Sequence, residues 1–324
     1  MKRRDIVLAS AGAALTGVPG LGLAQQTFPK PGSTIKYVVP FTPGGLTDMM
    51  ARTVAQKLSE AWKTSVIVEN KAGGNAQIGA EQVAKSAPDG NTLLAITLTH
   101  AANVSLYPNA AYSFTKDLRP VALLASSPML VVVPTASPIK DFKDLMAVSK
   151  TKQLSAGSSG NGTPAHLTMA LFNELNKTKM IHVPYRGGAP SMVDLIGGQL
   201  DVVFSNYPES IAHVKGGKLR AIAICSLGRH PGVPDVPTAL EAGMPGLFVE
   251  NWTGAMLPAK TPDDIVDKFS REMIKIMYSA EVEERAKQQG FRVSQKGSDE
   301  FGRFLKSEID RWSRIIKTAK ITPT

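Results

Sequence analysis

The sequence predicts an α/β fold of mostly parallel sheets with helices on both faces. Two observations carry that expectation. Short apolar runs rich in β-branched residues alternate with segments whose apolar residues recur every three or four positions. The composition is that of a chain with a core: 43% of residues are hydrophobic and only 20% charged, which excludes a disordered chain and a coiled coil. With 324 residues, one or two domains are expected.

The N-terminus sets the expected compartment. Met1-Lys2-Arg3-Arg4 is a short basic start, and residues 6–24 are uncharged and mostly small or apolar. Gly22-Leu23-Ala24 offers small residues at the two positions a signal peptidase reads. Residues 1–24 are therefore expected to be a signal peptide, cleaved after Ala24 following export by the Sec or twin-arginine route. Pro19 and the glycines make a poor spanning helix, and no cysteine follows to carry a lipid. The protein is expected in the periplasm. A single cysteine, Cys225, excludes an intrachain disulfide and any multi-cysteine metal site. The net charge of +10, about +8 without the leader, suggests an anionic partner.

Along the mature chain, Ile35 to Val39 reads as a buried strand and Pro40 to Gly45 as a loop. Leu46, Met50, Val54, Leu58 and Trp62 then mark one apolar helix face. Val66–Val68 and Leu93–Thr97 read as strands, Ala76–Lys85 as a helix and Pro88-Asp89-Gly90 as a turn. Further strands are expected at Met129–Val133, Met180–Pro184, Asp201–Phe204 and Ala221–Cys225. Helices are expected at Phe142–Lys150, Pro164–Asn176, Pro190–Gly197 and Tyr207–Val214. After Trp252 the chain turns helical and highly charged, over Pro262–Ala280, Val282–Gln289 and Ser298–Lys320.

Three glycine-rich loops each open a helix: Pro40 to Asp48, Ser158 to Pro164, and Tyr185 to Pro190. Thr163 suits an N-cap and Pro164 the first helical position. A helix N-terminus leaves up to four N–H groups unpaired and carries about half a positive charge. Glycine lets an anion approach that backbone, so such an end holds a carboxylate or phosphate without any lysine. One glycine loop is ordinary turn chemistry. Three, two of them dense in Ser, Thr and Asn, point to an oxygen-rich anionic ligand. None is a P-loop, because no Gly-Lys-Ser/Thr follows, and none has GxGxxG spacing.

Catalytic signals are poor. No pair of the five histidines frames a glutamate at zinc-protease spacing, so neither metal nor cofactor is expected. Ser158 lacks the GxSxG elbow, Cys225 reads as a core thiol and His182 as structural. His166, in the first turn of a helix, faces either a ligand or the core. Asp48 favours its helix dipole. Basic residues are dispersed without an aromatic platform, which argues against nucleic acid.

At this point the motifs become specific. Val39 to Asp48, ending in Ala51-Arg52, resembles the opening signature of Bug-type (Bordetella uptake gene) solute receptors, the extracytoplasmic binding proteins of tripartite tricarboxylate transporters. Matching motifs continue in order: Val68-Glu69-Asn70-Lys71 with Gly73-Gly74, Ala87 to Gly90, Gly160-Asn161-Gly162 with His166-Leu167, and His182 to Gly187. Gly197-Gly198-Gln199, Pro234 to Thr238, Glu241-Ala242-Gly243 and Trp252-Thr253-Gly254 with Pro258 complete the series.

The resemblance implies two lobes of the type II periplasmic-binding-protein kind around a cleft, the chain returning to the first lobe near its end. Lobe 1 is expected over residues 25–126 and 250–324, lobe 2 over 127–249. It implies a receptor and no enzyme, a small carboxylate ligand (an aliphatic dicarboxylate or aromatic acid), capture by lobe closure, delivery to membrane permease subunits, and a monomer. Periplasmic sensing for a signalling kinase, and an enzyme acting on a small acid, are the alternatives. By position, Phe41, Pro43, Gly44, Gly45 and Asp48 fall on the first-lobe loop, with Thr99 and His100 after the following strand. Ser158, Asn161, Gly162, Thr163 and His166 fall on the second-lobe loop, and Tyr185, Arg186 and Gly187 on the next. Two departures stand out. Ser205-Asn206 replaces the family's frequent Asp-Ser, and the lost carboxylate should disfavour an amino group on the ligand. His100 replaces a usually apolar residue.

Overall fold

The computed structural model describes residues 28–322; the expected signal peptide lies outside them. Strand β1 (Thr34–Val39) leads into α1 (Leu46–Trp62), β2 (Ser65–Asn70), α2 (Gln77–Ala84), β3 (Thr92–Thr97), α3 (Leu98–Leu106) and the short α4 (Phe114–Asp117). A long strand, β4 (Leu118–Pro134), precedes α5 (Phe142–Thr151), β5 (Ser155–Ser158), α6 (Pro164–Asn176) and β6 (Ile181–Pro184). Then come α7 (Gly188–Ile196), β7 (Val202–Asn206), α8 (Tyr207–Lys215) and β8 (Leu219–Ile224). The chain continues with β9 (Glu250–Pro258), α9 (Asp263–Met277), α10 (Ala280–Gln288), β10 (Arg292–Val293) and α11 (Ser298–Thr318).

The strands are ordered β2-β1-β3-β9-β4-β7-β5-β6, with β8 and β10 also on β4. β1 runs parallel to β2 and β3, and β5 parallel to β6 and β7, where helices cross over between strands. Every pairing of β4 and β9 is antiparallel. The parallel expectation therefore describes the outer strands; the centre is antiparallel, and β4 is the strand that pairs in both halves of the sheet. β4 pairs with β9 from Leu118 to Pro128, then with β7 and β8 from Met129 onward. Proline has no N–H to give a ladder, and Pro128 stands at this change of partner while Pro120 stands at a register shift.

The four-residue spacing on α1 does what it predicts: Leu46, Met50, Val54 and Leu58 are buried. Each such side chain contributes roughly 1.5–3 kcal/mol by leaving water. Trp62 ends the helix in an aromatic cluster with Phe28 and with Phe269 of α9. The first part of β4, β5, β9 and α3 were not anticipated. Prolines and serines break the apolar pattern of β4 before Met129, Ser155–Ser158 carries no β-branched residue, and β9 opens with Glu250-Asn251. Helix α3 starts with no intervening turn residue, capped by Thr97 and closed from the other side by His100.

The charged C-terminal third folds back on the first sheet. The Trp252 indole of β9 donates to Glu308 of α11 at 2.9 Å, and Trp312 donates to the same Oε2 at 3.2 Å. Glu308 is buried between the two rings. Glu308→Leu should strip both indoles of their acceptor and cost about 2–4 kcal/mol, whereas Glu308→Gln keeps an acceptor and should cost less than half as much. Urea unfolding of the three proteins measures the difference.

Candidate ligand-binding cleft

The three glycine loops lie at the C-terminal ends of parallel strands, where α/β folds bind ligands. Loops 1 and 2 lead from β1 into α1 and from β5 into α6; loop 3 leads from β6 into α7. The N-caps are Gly45, Thr163 and Gly187, and none makes a side-chain capping bond. The Thr163 hydroxyl donates instead to Gly160 O at 2.6 Å. The first-turn amides of these helices are thus left without side-chain caps, as an anion site requires.

Other residues predicted to touch a ligand hold the loops in shape. Asp48 accepts from Gly44 N (3.0 Å), Arg52 Nε (2.9 Å) and Asn70 Nδ2 (2.9 Å), and Asn70 also ties down Phe41 O. Burial pushes the Asp48 carboxyl up, but the bonds from Arg52, Gly44 and Asn70 outweigh it and hold it below the ordinary carboxylate value. In loop 2, Gly162 N donates to His166 Nδ1 at 3.0 Å, so this amide is spent within the loop. Ser158 Oγ lies 2.6 Å from His182 Nε2 and also bonds Gly160. These contacts are local to the loop and the neighbouring strand and make Ser158 a brace. The His166 and His182 rings stack at 3.8 Å.

In loop 3, the Tyr185 hydroxyl donates to Asp194 at 2.6 Å, Gly187 N bonds Ser159 O, and Arg186 is exposed. At the end of β7, Ser205 Oγ donates to Asn206 O. The Asn206 amide donates to Glu209 at 2.8 Å and accepts from Asn251 Nδ2 at 2.9 Å. Pro43 lies exposed at the tip of loop 1.

Nine buried side-chain polar atoms among the described residues lack a partner, and four of them lie on α3 and β9. Thr99 Oγ1, His100 Nε2, Asn251 Oδ1 and Thr253 Oγ1 are buried without a hydrogen-bond partner. They converge because Thr97 of β3 pairs with Thr253 of β9, two residues from Thr99 and from Asn251. His100 Nδ1 accepts from Thr97 N at 3.1 Å, which leaves its proton on Nε2, and burial lowers the ring to about 3. It is a neutral donor beside Phe41, whose ring centroid is 6.0 Å away. Asn161 Oδ1 is a further buried, unpartnered acceptor, while its Nδ2 reaches Thr322 O. An unpaired buried polar atom costs about 1–3 kcal/mol, so a cluster of them fits atoms reserved for a bound group.

The two walls touch. A Cβ on Gly162 would stand 2.6 Å from Asn75 Nδ2 and 2.8 Å from Leu106 Cδ1. One on Gly187 would lie 3.9 Å from Thr42 Oγ1. Asn75 is itself held by reciprocal bonds with Asn103 at 2.8 and 2.7 Å. Sequence reasoning missed Thr253, Asn251 and Glu209. The Trp252-Thr253-Gly254 motif was visible, but the strand that carries it was not.

A family model described as the tripartite tricarboxylate transporter family receptor matches residues 50–321. The chain belongs to this family. The receptor is 32% identical over 316 residues to Protein BugT of Bordetella pertussis, a match covering 96% of this chain and 94% of BugT. Among solved structures, the R. palustris protein Rpa4515 with adipate superposes with a TM-score of 0.85 at 32% identity, covering 91% of this chain and 99% of that one. MatC from Rhodopseudomonas palustris with bound malate gives 0.82 at 33% identity, covering 88% and 99%. The two-lobe periplasmic-binding-protein fold follows. Among the described residues, no cluster of three His, Cys, Asp or Glu is arranged to hold a metal, and no helix is long and apolar enough to cross a membrane.

The stacked histidines should make the receptor acid-sensitive. Burial, and for His166 also the neighbouring His182, lowers the rings to about 3 and about 4, against 6.5 for a free imidazole. The unfolded chain takes up these protons first, so stability held above pH 6.5 is lost as the pH falls toward 4. Each ring should cost up to about 1.4 kcal/mol per pH unit over that span. Urea unfolding between pH 7 and 4.5 should show a shallower fall in a His166→Asn/His182→Asn double variant.

Proposed function

We propose that the receptor captures a small carboxylate between its lobes and delivers it to the membrane subunits of a tripartite transporter. The observation that carries this reading is the set of buried, unpartnered polar atoms on Thr99, His100, Asn251 and Thr253, set among helix N-termini that lack side-chain caps. Hydroxyls, amides and a neutral imidazole N–H suit carboxylate oxygens. Adipate and malate, each found with one of two similar structures, support the same ligand class.

The lobe assignment of 25–126 with 250–324 and of 127–249 is part of the proposal, and the change of partners along β4 after Pro128 supports it. The ligand binds the loops of one lobe first, and closure brings the other wall onto it. Closure is driven only by the difference in affinity between the two forms. The closed form is the one the permease reads. The protein works in the periplasm as a monomer, after its signal peptide is removed.

Thr253→Val and Thr99→Val test the site. Each removes a hydroxyl with no partner in the protein and keeps the shape. The unfolding midpoint of the free receptor should hold steady or rise, while the affinity for its carboxylate should fall about ten-fold or more. Calorimetric titration with aliphatic and aromatic mono- and dicarboxylates supplies the measurement. Wild-type protein that binds none of them, or valine variants that bind undiminished, would refute the reading.

A further inference from the structure

The second lobe carries a carboxylate that the capture mechanism above does not use. Glu209 stands in the first turn of α8, and its Oε1 accepts from Asn206. Through Asn206 it is linked to Asn251, whose Oδ1 is one of the unpartnered atoms of the cleft. On its other side, the carboxylate lies against the first residue of α7. A Cβ on Gly188 would meet it, so the carboxylate packs directly against the start of this helix. The preceding Gly187 faces Thr42 of the opposite wall. Glu209 therefore sits in the wall of the cleft, between the end of β7 and the mouth of α7.

No lysine or arginine forms an ion pair with Glu209 among the described residues, although the chain is rich in both. Burial pushes its carboxyl up to about 7, opposed only by the bond from Asn206. The side chain nevertheless keeps partial contact with solvent. The acid has one bonded oxygen, a second that meets solvent and no counter-ion, so a ligand's donor group finds an acceptor there. The sequence reading took Ser205-Asn206 as the loss of a carboxylate from this wall. The fold supplies one from Glu209, in the first turn of α8.

We infer that Glu209 is a specificity-determining residue, accepting a hydrogen bond or ion pair from an ammonium or hydroxyl group on the bound acid. The inference rests on the carboxylate reading of the cleft and reverses the expectation that an amino group is disfavoured. The ligand's carboxylate lies at the helix ends and the orphaned hydroxyls. Its donor group points to Glu209, whose Oε1 is held by Asn206.

Acids that differ only in that donor provide the test: succinate, malate and aspartate; adipate and 2-aminoadipate; 3-phenylpropionate and phenylalanine. Calorimetry on the wild-type receptor should show, within at least one set, the substituted acid binding about ten-fold or more tightly than the plain one. Malate against aspartate separates a hydroxyl from an ammonium. In Glu209→Gln, with folding checked by circular dichroism, the ratio for the ammonium-bearing acid should fall toward one. Plain and substituted acids binding alike in the wild type, a result that needs no variant, would overturn the inference alone. So would an ammonium preference retained in Glu209→Gln, or a hydroxyl preference retained in Glu209→Leu. If no acid of any set binds the wild type, the carboxylate reading falls and this inference with it.

Discussion

The receptor depends on one strand being hydrogen-bonded to two sheets. β4 is 17 residues long, bonded first to β9 and then to β7 and β8. Because it belongs to both ladders, the lobes cannot drift apart, and the strand ends that carry the three loops open toward a common gap. Its central residues are almost wholly buried, so apolar burial and the backbone ladder both resist its unfolding. The return of α11 onto β4 and α3 adds the Glu308 bonds that fasten the C-terminus to the same frame.

Within that frame, polar residues divide into two kinds. Asp48, Asn70, Ser158, His166 and Asn206 spend their hydrogen bonds on neighbouring loops and fix the position of each helix start. Thr99 Oγ1, His100 Nε2, Asn251 Oδ1 and Thr253 Oγ1 have no partner in the protein, although His100 Nδ1 and Asn251 Nδ2 are bonded to Thr97 and Asn206. A protein selected only for stability would pair or remove such atoms. Leaving them bare costs stability in the free protein and makes it available to whatever binds.

Much of this was legible in the sequence, for identifiable reasons. The α1 face, the boundaries of α6 and the three glycine loops follow from periodicity, a Thr-Pro start and glycine density, all local signals. The roles within the loops were not legible, because whether Asp48 faces a ligand or Asn70 is decided by a residue 22 positions away. β9 was hidden because it opens on the polar pair Glu250-Asn251, whose partners, Arg292 and Asn206, lie far away in the chain. Glu209 was not singled out, because its contact with Gly188 joins two helices far apart in the chain.

The contact at Gly162 has a consequence of its own. Where the walls meet there, a single hydrogen atom stands in place of a methyl group, against Asn75 and Leu106. Any side chain at this point would act as a doorstop and bias the hinge toward an ajar state, by an amount set by its bulk. The cargo's residence time would then be tuned from the rim, by a residue whose side chain never meets the cargo.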